Sequence, residues 1–561
     1  MEPRFLKAYE MLFANFGESE FTYEDAESVL GKDFANIREV ISQLKREKLI
    51  KYLGRYENDN RIKRFKLVPL AKVVNSRGEL ISILKQSADL IRTRVDYRVL
   101  LILLFYKSIS DKWYKTVEYY KRQGYNENTA KDLADADVLR LRDKNGDEIT
   151  WHSAGNNSQK LVENLSKLED LNGDELKGFK SLLQITQIAD LVNNSGNISI
   201  FSQIIQLFGN IDFSNYPYDV LGDGYEWILG YFAPQKAKEG EVYTPKEVSR
   251  LLAEILDPET NYDILDPASG SGSLLIEMYK KMAEKGEPNG MLYGQEVNSV
   301  MAIISRLNFK LHNITNFKIY EGDSLLSPQF EHADIVVANP PWNQDGYNEK
   351  NLGNIRDIYY YGFTNKKSAD WAWIQLITYY AKKRAGVIID TGALTRGGRE
   401  GKIRRKFIES GIIDAVILLP EKLFYNTQAP ACIIIFNKEK PKDKNDKILF
   451  INASYLYKSH PDVKKLNILG EDNIEEIVDA YNGYYEGREL PEFARVVSID
   501  EIANNNYNLN VSLYVHLGEE NERVDIFEEF MNLMSLNEEY EALFNRISGY
   551  MEEIKKLEGE I

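Results

Sequence analysis

The segment DIVVANPPWNQ, at positions 334–344, joins an apolar run to residue types that can act on a ligand. The apolar run predicts a buried strand that ends at Asn339 and is followed at once by Pro340, Pro341 and Trp342. Proline fixes its own φ and restricts the residue before it, so the polar groups of Asn339 are expected to be held in place. Asparagine and proline are also favoured in turns that end strands. A reaction centre and a plain turn therefore both remain open.

Acidic side chains end three earlier predicted strands. Asp266 follows the apolar run in YDILDPASGSGSLL, Glu296 ends the next run in LYGQEVNSV, and Asp323 follows the one after in IYEGDSLL. In a doubly wound sheet the carboxyl ends of the strands line one crevice, so these acids and Asn339 are expected to converge. Each acid alone would be explained as a loop or cap residue. Four consecutive polar strand ends are hard to explain by capping.

The loop after Asp266 has the composition of a ligand-binding turn. Gly270 and Gly272 leave room for backbone amides to approach a ligand at the N-terminus of the following helix. Many nucleotide folds and some plain turns contain such glycines, so the loop gains weight only from its neighbours. Upstream, GEVYTPKEV places Thr244 ahead of Pro245, a pair that also fits the start of a helix.

The elements that must position these residues form an α/β pattern in the middle of the chain. Alternation of apolar runs with helices indicates a largely parallel sheet, with strands predicted at 262–265, 291–295, 317–320, 335–338, 385–390, 413–419 and 431–437. From about residue 76 to residue 235, the apolar residues instead have the spacing of amphipathic helices. We predict a winged helix-turn-helix at 1–75, a helical domain at 76–235, the α/β domain at 236–455, an extension at 456–515 and a heptad-patterned helical tail at 516–561.

The composition is that of a globular protein without a membrane span. The 561 residues are 43% hydrophobic and 28% charged, which suits a chain of several domains. The longest apolar run, VLLILLFY, is far shorter than the ~20 residues of a membrane helix, and the N-terminus lacks the features of a signal peptide. We therefore expect a cytoplasmic protein. The single cysteine, Cys432, and five histidines exclude an internal disulfide framework and show no zinc spacing, so no metal is predicted.

Basic residues are concentrated in two places, although the net charge is −16. One is the third helix and wing of the winged helix, where a DNA-binding module carries its cations, although such modules also bind proteins. The other is GGREGKIRRKF at 397–407 and the residue before it, which fits either a phosphate or partner contact or simply a loop and helix start. The candidates for DNA contact are Lys45, Arg46, Lys48, Arg61, Lys63, Arg64, Arg396, Arg399, Lys402, Arg404 and Arg405.

The C-terminal end carries a heptad pattern. Apolar residues alternate at spacings of three and four, as in the seam of a coiled coil, with acids and lysines between them. Such a seam packs either on its own protein or on another chain, and its position at the very end favours another chain. The seam comprises Tyr540, Leu543, Ile547, Tyr550, Ile554, Leu557 and Ile561.

Taken in order, GEVYTPKEV, DPASGSGSL, GQEVN, GDSL and NPPW resemble the motif series of S-adenosylmethionine-dependent amino-methyltransferases that act on DNA. More narrowly, the chain is similar to the modification subunits of type I restriction-modification systems. The resemblance covers about residues 80–515 and includes LTRGGREGKIRRKFIESGIIDAVILLPEKLFYNTQAPACIIIF and NNNYNLNVSLYV. It implies a Rossmann-like methyltransferase fold with a mainly parallel sheet, preceded here by a helical domain and a winged helix and followed by a long C-terminal helix.

The resemblance also implies an activity and a set of site residues. The activity is transfer of a methyl group from S-adenosylmethionine to N6 of an adenine that is flipped out of double-stranded DNA. The implied catalytic residues are Asn339, Pro340, Pro341 and Trp342. A separate specificity subunit and a restriction or translocase subunit are the implied partners. Tyr243 and its neighbours would hold the methionine end of the cofactor, Glu296 the ribose and Asp323 the adenine. The implied cofactor-binding residues are Glu241, Tyr243, Thr244, Pro245, Asp266, Ala268, Gly270, Ser271, Gly272, Ser273, Glu296, Asp323 and Asn339.

Three other functions remain as alternatives. Cytosine-N4 methyltransferases use a similar site but more often carry serine where Asn339 stands, and glutamine methyltransferases share the step but are usually far shorter. A DNA-binding regulator with a degenerate methyltransferase body is the third. The chain departs from the family in its N-terminal winged helix and in Trp342, where phenylalanine or tyrosine is commoner.

Overall fold

The structure is a computed structural model whose described residues fall into two units, one within 1–515 and the other within 516–561. It describes residues 3–17, 19–31, 34, 37–46, 49–56, 59–67, 70–91, 95–155, 157–193, 195–236, 243–365, 367–460, 463, 465–516, 531, 533–537, 540–544 and 546–548. No helix within these residues is both long and apolar enough to cross a membrane.

The first elements form the predicted winged helix. Its antiparallel sheet has the strand order Glu20–Thr22, Asp59–Leu67, Ile50–Tyr56, and Phe21 and Phe65 lie in its core. Thr22 and Asp25 form a capping box at the start of the second helix, which satisfies two backbone amides. The elements are α1 (Pro3–Phe16), β1 (Glu20–Thr22), α2 (Tyr23–Leu30), α3 (Ile37–Arg46), β2 (Ile50–Tyr56) and β3 (Asp59–Leu67).

Nine α-helices follow within the described residues. They are α4 (Leu70–Ile91), α5 (Arg98–Arg122), α6 (Glu127–Asp137), α7 (Trp151–Ala154), α8 (Ser158–Asn172), α9 (Phe179–Ile185), α10 (Ile188–Asn193), α11 (Ser195–Gly209) and α12 (Tyr218–Lys236). The first half of α5 is buried on every side, as its continuous apolar run requires. α4 runs through the predicted boundary between residues 75 and 76 without a break.

Among its described residues, the α/β part has eleven strands and nine α-helices, with three-residue turns of 3-10 helix omitted. They are α13 (Lys246–Leu256), β4 (Ile264–Asp266), α14 (Ser273–Ala283), β5 (Leu292–Glu296), α15 (Ser299–Leu311), β6 (Phe317–Glu321), β7 (Ala333–Ala338), α16 (Glu349–Leu352), α17 (Asp370–Tyr380), β8 (Ala381–Asp390), α18 (Gly392–Thr395), α19 (Gly398–Glu409), β9 (Ile413–Leu418), β10 (Ala431–Asn437), β11 (Lys447–Asn452), β12 (Lys458–Ser459), β13 (Asn467–Ile468), α20 (Glu471–Glu486), β14 (Ala494–Ser498) and α21 (Ile499–Asn504).

A nine-stranded sheet organises this part, in the order β14-β11-β9-β10-β8-β7-β4-β5-β6. β8, β7, β4, β5 and β6 are parallel neighbours, whereas β10 runs antiparallel between β8 and β9. Helices cover both faces: Ile335 and Val337 of β7 enter one apolar core, and Val336 and Ala338 the other. The predicted fold class is confirmed, and all seven predicted strands are present.

Two strands of the sheet were not predicted. β11 follows the polar linker, and β14 pairs with β11 at the edge of the sheet. Because β14 lies within the segment predicted as a separate extension, the sheet continues beyond residue 455.

The tail was predicted as a heptad helix. Its described residues 533–537, 540–544 and 546–548 are helical, and Tyr540, Leu543 and Ile547 are exposed. Tyr550, Ile554, Leu557 and Ile561 lie outside the described residues. The seam therefore stays a prediction.

Candidate active site

The structure brings the four predicted strand ends to one edge of the sheet. β5, β4 and β7 are neighbours, so Glu296, Asp266 and Asn339 follow adjacent parallel strands. Asp323 follows β6, the next strand outward. Asp266 is 2% exposed and Asn339 8% exposed, so both polar side chains are almost enclosed. Parallel strand ends of this kind form the ligand crevice of open α/β sheets.

Glu296 ties the glycine loop to the neighbouring strand. One of its carboxylate oxygens accepts from the Gly270 amide at 2.9 Å and the other from the Asn298 amide at 2.8 Å. Gly270 has a φ of +50° and open space where a Cβ would stand, so the loop backbone borders the crevice directly. At Gly272, with φ +81°, a Cβ would come within 2.6 Å of Ser305 Oγ, so only glycine fits.

Asp266 is a buried carboxyl group to which the described residues donate one hydrogen bond, from the Ala268 amide at 2.9 Å. Burial raises its pKa to about 8, and the negative charge of Glu296 acts in the same direction. Burial also raises the pKa of Glu296. A cationic ligand in the crevice would stabilise the ionised form of both groups.

Glu226, on α12, was not predicted to belong to the site. Its carboxylate accepts from Ser273 Oγ at 2.9 Å and Tyr243 Oη at 3.1 Å, and also from Asn308 Nδ2. Asn308 in turn donates to the Ser271 carbonyl at 3.1 Å. One buried acid of the helical segment therefore holds the start of α14 and the tyrosine of the YTP motif. The available signal was an acid within the apolar sequence of α12.

Asn339 lies in a short chain of hydrogen bonds. Its Nδ2 donates to Thr244 Oγ1 at 2.8 Å, and its Oδ1 accepts from Trp342 Nε1 at 3.1 Å. Thr244 therefore joins the site, while Pro245 occupies the position before α13 without a side-chain cap. The Oδ1 atom keeps a second lone pair for another donor.

Trp342 is fixed on two sides. Its indole N–H also lies 3.3 Å from the Ile388 carbonyl of β8, and its ring meets Phe424 edge-on with centroids 4.9 Å apart. Phenylalanine could not donate this hydrogen bond. Trp342, at a position where phenylalanine or tyrosine is commoner, therefore adds a hydrogen bond that helps to fix the NPPW segment.

Asp323 organises the loop after β6. Its Oδ1 accepts from the Leu325 and Leu326 amides at 2.9 and 3.2 Å, and its Oδ2 accepts from Tyr347 Oη at 2.6 Å. Burial and this contact raise the pKa of Tyr347 above its ordinary range. Asp323 thus has a capping role, which is compatible with ligand contact at its remaining lone pairs.

The basic candidates after β8 separate into two groups. Arg404 is 3% exposed and donates to the backbone carbonyls of Tyr507, Ala393 and Arg396, so its prediction as a DNA contact is corrected. Arg396 forms ion pairs with Asp370, Asp390 and Glu400, so its prediction as a DNA contact is also corrected. Exposed positions on α19 remain as candidates: Arg399, Lys402 and Arg405.

The winged helix presents α3 to the rest of the protein. Ser42 Oγ lies 3.3 Å from Glu471 Oε2 at the start of α20, and Arg250 of α13 contacts both residues. Burial lowers the pKa of Lys45, and its charged neighbours include Glu284 at the end of α14. Its Nζ lies 5.3 Å from the centroid of the Phe65 ring, and its contact with DNA stays a prediction.

The other winged-helix candidates have separate outcomes. Arg64 donates to Glu20 and to the Leu53 carbonyl. Lys63 is partly buried in β3 and has an interaction partner. Lys48 and the cofactor candidate Glu241 lie outside the described residues, as do the side chains of Arg46 and Arg61.

Comparison with known proteins agrees with this geometry. A family model described as N-6 DNA Methylase matches residues 217–523. The chain is 48% identical to a type I restriction enzyme MjaVIII methylase subunit of Methanocaldococcus jannaschii over 99% of both chains. It is 42% identical to the MjaVII methylase subunit of that organism over 97% of this chain and 96% of the relative.

A solved structure has the same fold. The crystal structure of the type I restriction-modification system methyltransferase subunit from Streptococcus thermophilus matches with a TM-score of 0.67 and 25% identity, covering 78% of this chain and 99% of that chain. The family resemblance predicted from the motifs is confirmed. The chain belongs to the N-6 DNA methylase family and, within it, to the type I restriction enzyme methylase subunits.

Proposed function

We propose that this chain transfers a methyl group from S-adenosylmethionine to N6 of a flipped adenine in double-stranded DNA. It acts as the modification subunit of a type I restriction-modification complex and protects host DNA. The observation that carries the proposal is Asn339, which is buried at the end of β7 beside β4 and is hydrogen-bonded to Thr244 and Trp342. Membership of the N-6 DNA methylase family supports adenine as the base.

The residues of the crevice fit the cofactor. Ser269 Oγ is buried in the glycine loop and has no hydrogen-bond partner within the described residues, and the space beside Gly270 is open. S-adenosylmethionine supplies an electrophilic methyl group on a sulfonium cation, which an acidic crevice attracts. We assign Glu296 to the ribose hydroxyls and Asp323 to the adenine of the cofactor. We assign the methionine end of the cofactor to Tyr243, Thr244, Pro245, Asp266 and Ala268, and to Gly270, Ser271, Gly272 and Ser273 of the glycine loop. Asn339 and Glu241 are assigned to the same end.

Asn339 and Pro340 would act on the target amine. The lone pair of an exocyclic amine is delocalised into the ring, so the amine is a poor nucleophile until its geometry changes. Asn339 Oδ1 and the Pro340 carbonyl would accept its two N–H groups and favour a pyramidal nitrogen. Pro340 and Pro341 hold these acceptors without reorganisation, which is the basis of preorganised catalysis. Trp342 would contact the flipped base, which aromatic side chains commonly stabilise outside the duplex.

DNA contact would come from α19. A groove of about 450 Å³ lies between this helix and residues 361–363, and its lining includes Arg399, Lys402, Arg405 and Lys406 together with Tyr361 and Phe363. Arg399 and Lys402 form no ion pair with described residues, so both can meet phosphate. Because the whole chain is acidic, a local basic surface of this kind is needed for contact with DNA.

The implied partners are a specificity subunit and a restriction or translocase subunit, and the cytoplasm is the proposed location. The exposed apolar residues of the tail support dependence on another chain. Cytosine-N4 methylation is not favoured, since Asn339 occupies the position where such enzymes more often carry serine. A regulator with a degenerate site is not favoured either, since the described motif positions are intact.

The test is base mapping with an Asn339→Ala variant. DNA from cells that express the chain with its neighbouring genes should contain N6-methyladenine at defined sites, and the variant should lose at least 99% of it. Asn145→Ala, which changes an exposed turn residue of the helical segment, is the matched control and should retain full methylation. Undiminished N6-methyladenine in Asn339→Ala contradicts the mechanism, and N4-methylcytosine in the wild type contradicts the substrate.

A further inference from the structure

Asn343, directly after the catalytic step, has a backbone conformation that needs support. Its φ of +53° lies in the left-handed region, which residues other than glycine adopt uncommonly, although asparagine does so more often than most. Its backbone N–H donates to Asp370 Oδ1 at 2.9 Å, and its Nδ2 donates to Asp390 Oδ2 at 3.3 Å. Its Oδ1 accepts from Arg396 Nη1 at 2.8 Å. Three polar groups of this one residue are therefore bound by a single cluster.

Arg396 is the centre of that cluster. Its Nε donates to Glu400 Oε2 at 2.9 Å, its Nη1 also donates to Asp390 Oδ2 at 3.2 Å, and its Nη2 donates to Asp370. The Nη2 atom also lies 3.2 Å from Ser368 Oγ. The guanidinium thus connects the start of α17, the end of β8 and the first turn of α19. These contacts use the planar donor geometry of arginine, which one lysine ammonium cannot reproduce.

Arg396 compensates the negative charge of the carboxylates around it. Asp370 is fully buried and Glu400 nearly so, and burial raises the pKa of both carboxyl groups. The Arg396 charge lowers the pKa of Asp370 and Glu400. Three carboxylates share this cation, so its removal leaves buried negative charges without a partner. A guanidinium held in this way is not available to a DNA phosphate.

We propose that Arg396 is a positioning residue that fixes Asn343 and, through it, the turn that carries Asn339 to Trp342. The inference rests on the proposed function, because it concerns the geometry of the same step. Methyl transfer depends on acceptors held still at the target amine, so a turn that relaxes after Trp342 lowers the rate of the chemical step. Most of the cofactor contacts assigned above, those of the glycine loop, Glu296 and Asp323, lie outside this turn, so cofactor affinity should change little.

The first test compares Arg396→Lys with Arg488→Ala in the assembled complex. Arg488 is an exposed arginine that pairs with Asp479 and Glu486, so its loss controls for the removal of a surface arginine ion pair. We expect Arg396→Lys to lower kcat at least tenfold, while KM for DNA and the cofactor Kd change less than threefold and the slope of log DNA affinity against log salt stays the same. Arg488→Ala should leave all four unchanged.

Two results would overturn the proposal. One is a kcat for Arg396→Lys within twofold of the wild type. The other is a loss of DNA affinity with a shallower salt dependence, which would make Arg396 a phosphate ligand. A wild-type complex that does not methylate adenine is a different result, because it contradicts the proposed function and not the position of Arg396.

Substitution of Asn343 tests the same idea if Arg396→Lys does not fold. Alanine and glycine both remove the side-chain bonds, but only glycine adopts a positive φ without strain. We expect Asn343→Gly to keep at least threefold more kcat than Asn343→Ala. Equal rates for the two variants contradict the dependence on turn geometry.

Discussion

Cofactor binding should be coupled to the ionisation of Asp266. In the protein without ligand, burial raises the pKa of this carboxyl group to about 8, so it is mostly protonated at pH 6. A sulfonium cation in the crevice favours the carboxylate. Binding therefore releases a proton below pH 8, and the affinity rises with pH and levels off above that value.

The magnitude follows from the position of the pKa. Well below pH 8 each unit of pH changes the affinity about tenfold, so binding at pH 6 should be roughly fiftyfold weaker than at pH 8, or about 2.3 kcal/mol. Asp266→Asn removes the ionisable group and its pH dependence. The amino group of the cofactor titrates equally in both proteins, so the ratio of the two Kd values isolates Asp266.

Calorimetric titration with S-adenosylmethionine from pH 6 to 9 measures this ratio. Titrations in two buffers with different ionisation enthalpies give the number of protons released on binding. At pH 6.5 the wild type should release about one proton more per bound cofactor than Asp266→Asn. A ratio that stays constant within twofold across this range would refute the reasoning, because the carboxyl would then have the same charge in the free and bound protein.

Two further predictions concern charge on the described surface and at an internal interface. The double substitution of Arg399 and Lys402 by alanine should weaken DNA binding and lower the slope of log affinity against log salt by nearly 2, since each phosphate contact contributes about 0.9; an unchanged slope excludes both contacts. Burial raises the pKa of Glu475, on α20 beside Ser42 of the winged helix, from 4.5 to about 7. Between these two pKa values the folded protein keeps a proton on Glu475 that the unfolded chain has released. The free energy of unfolding therefore falls as the pH rises from about 4.5 to about 7. Glu475→Gln should be more stable than the wild type at pH 8 by about 1–2 kcal/mol, after allowance for partial solvation, and equally stable near pH 4. Urea unfolding measures both values, and a difference independent of pH contradicts the assignment.

Most of the central sheet could be predicted from the sequence, because continuous apolar runs are typical of strands buried on both faces. β14 could not, since this short edge strand mixes buried with exposed residues, and tertiary pairing with β11 decides its structure. In α19, helical spacing did contain a usable signal. Ile403, Phe407 and Ile408 define a buried side, and Arg404 lies on it next to Ile403, whereas Arg405 does not.

The site was predictable where each residue follows its own strand and not where distant elements meet. Asp266, Glu296, Asp323 and Asn339 follow from the order of strands in a doubly wound sheet. Glu226 does not, because its partners Tyr243 and Asn308 are brought to it only by packing of the helical segment on the α/β part. Arg396 was assigned to DNA for a similar reason, since its buried partner Asp370 lies 26 residues away in sequence and is brought to it by the fold.

During synthesis, β8 leaves the ribosome well before the strand that covers its second edge. β7 pairs with one side of β8, whereas β10, at residues 431–437, pairs with the other. Phe424, which packs against Trp342, is also made in this interval. A nascent chain that ends before residue 424 therefore contains every motif of the crevice but exposes an unpaired strand edge, a template for aggregation. Premature termination would thus yield a protein with complete motifs and an unfinished active centre.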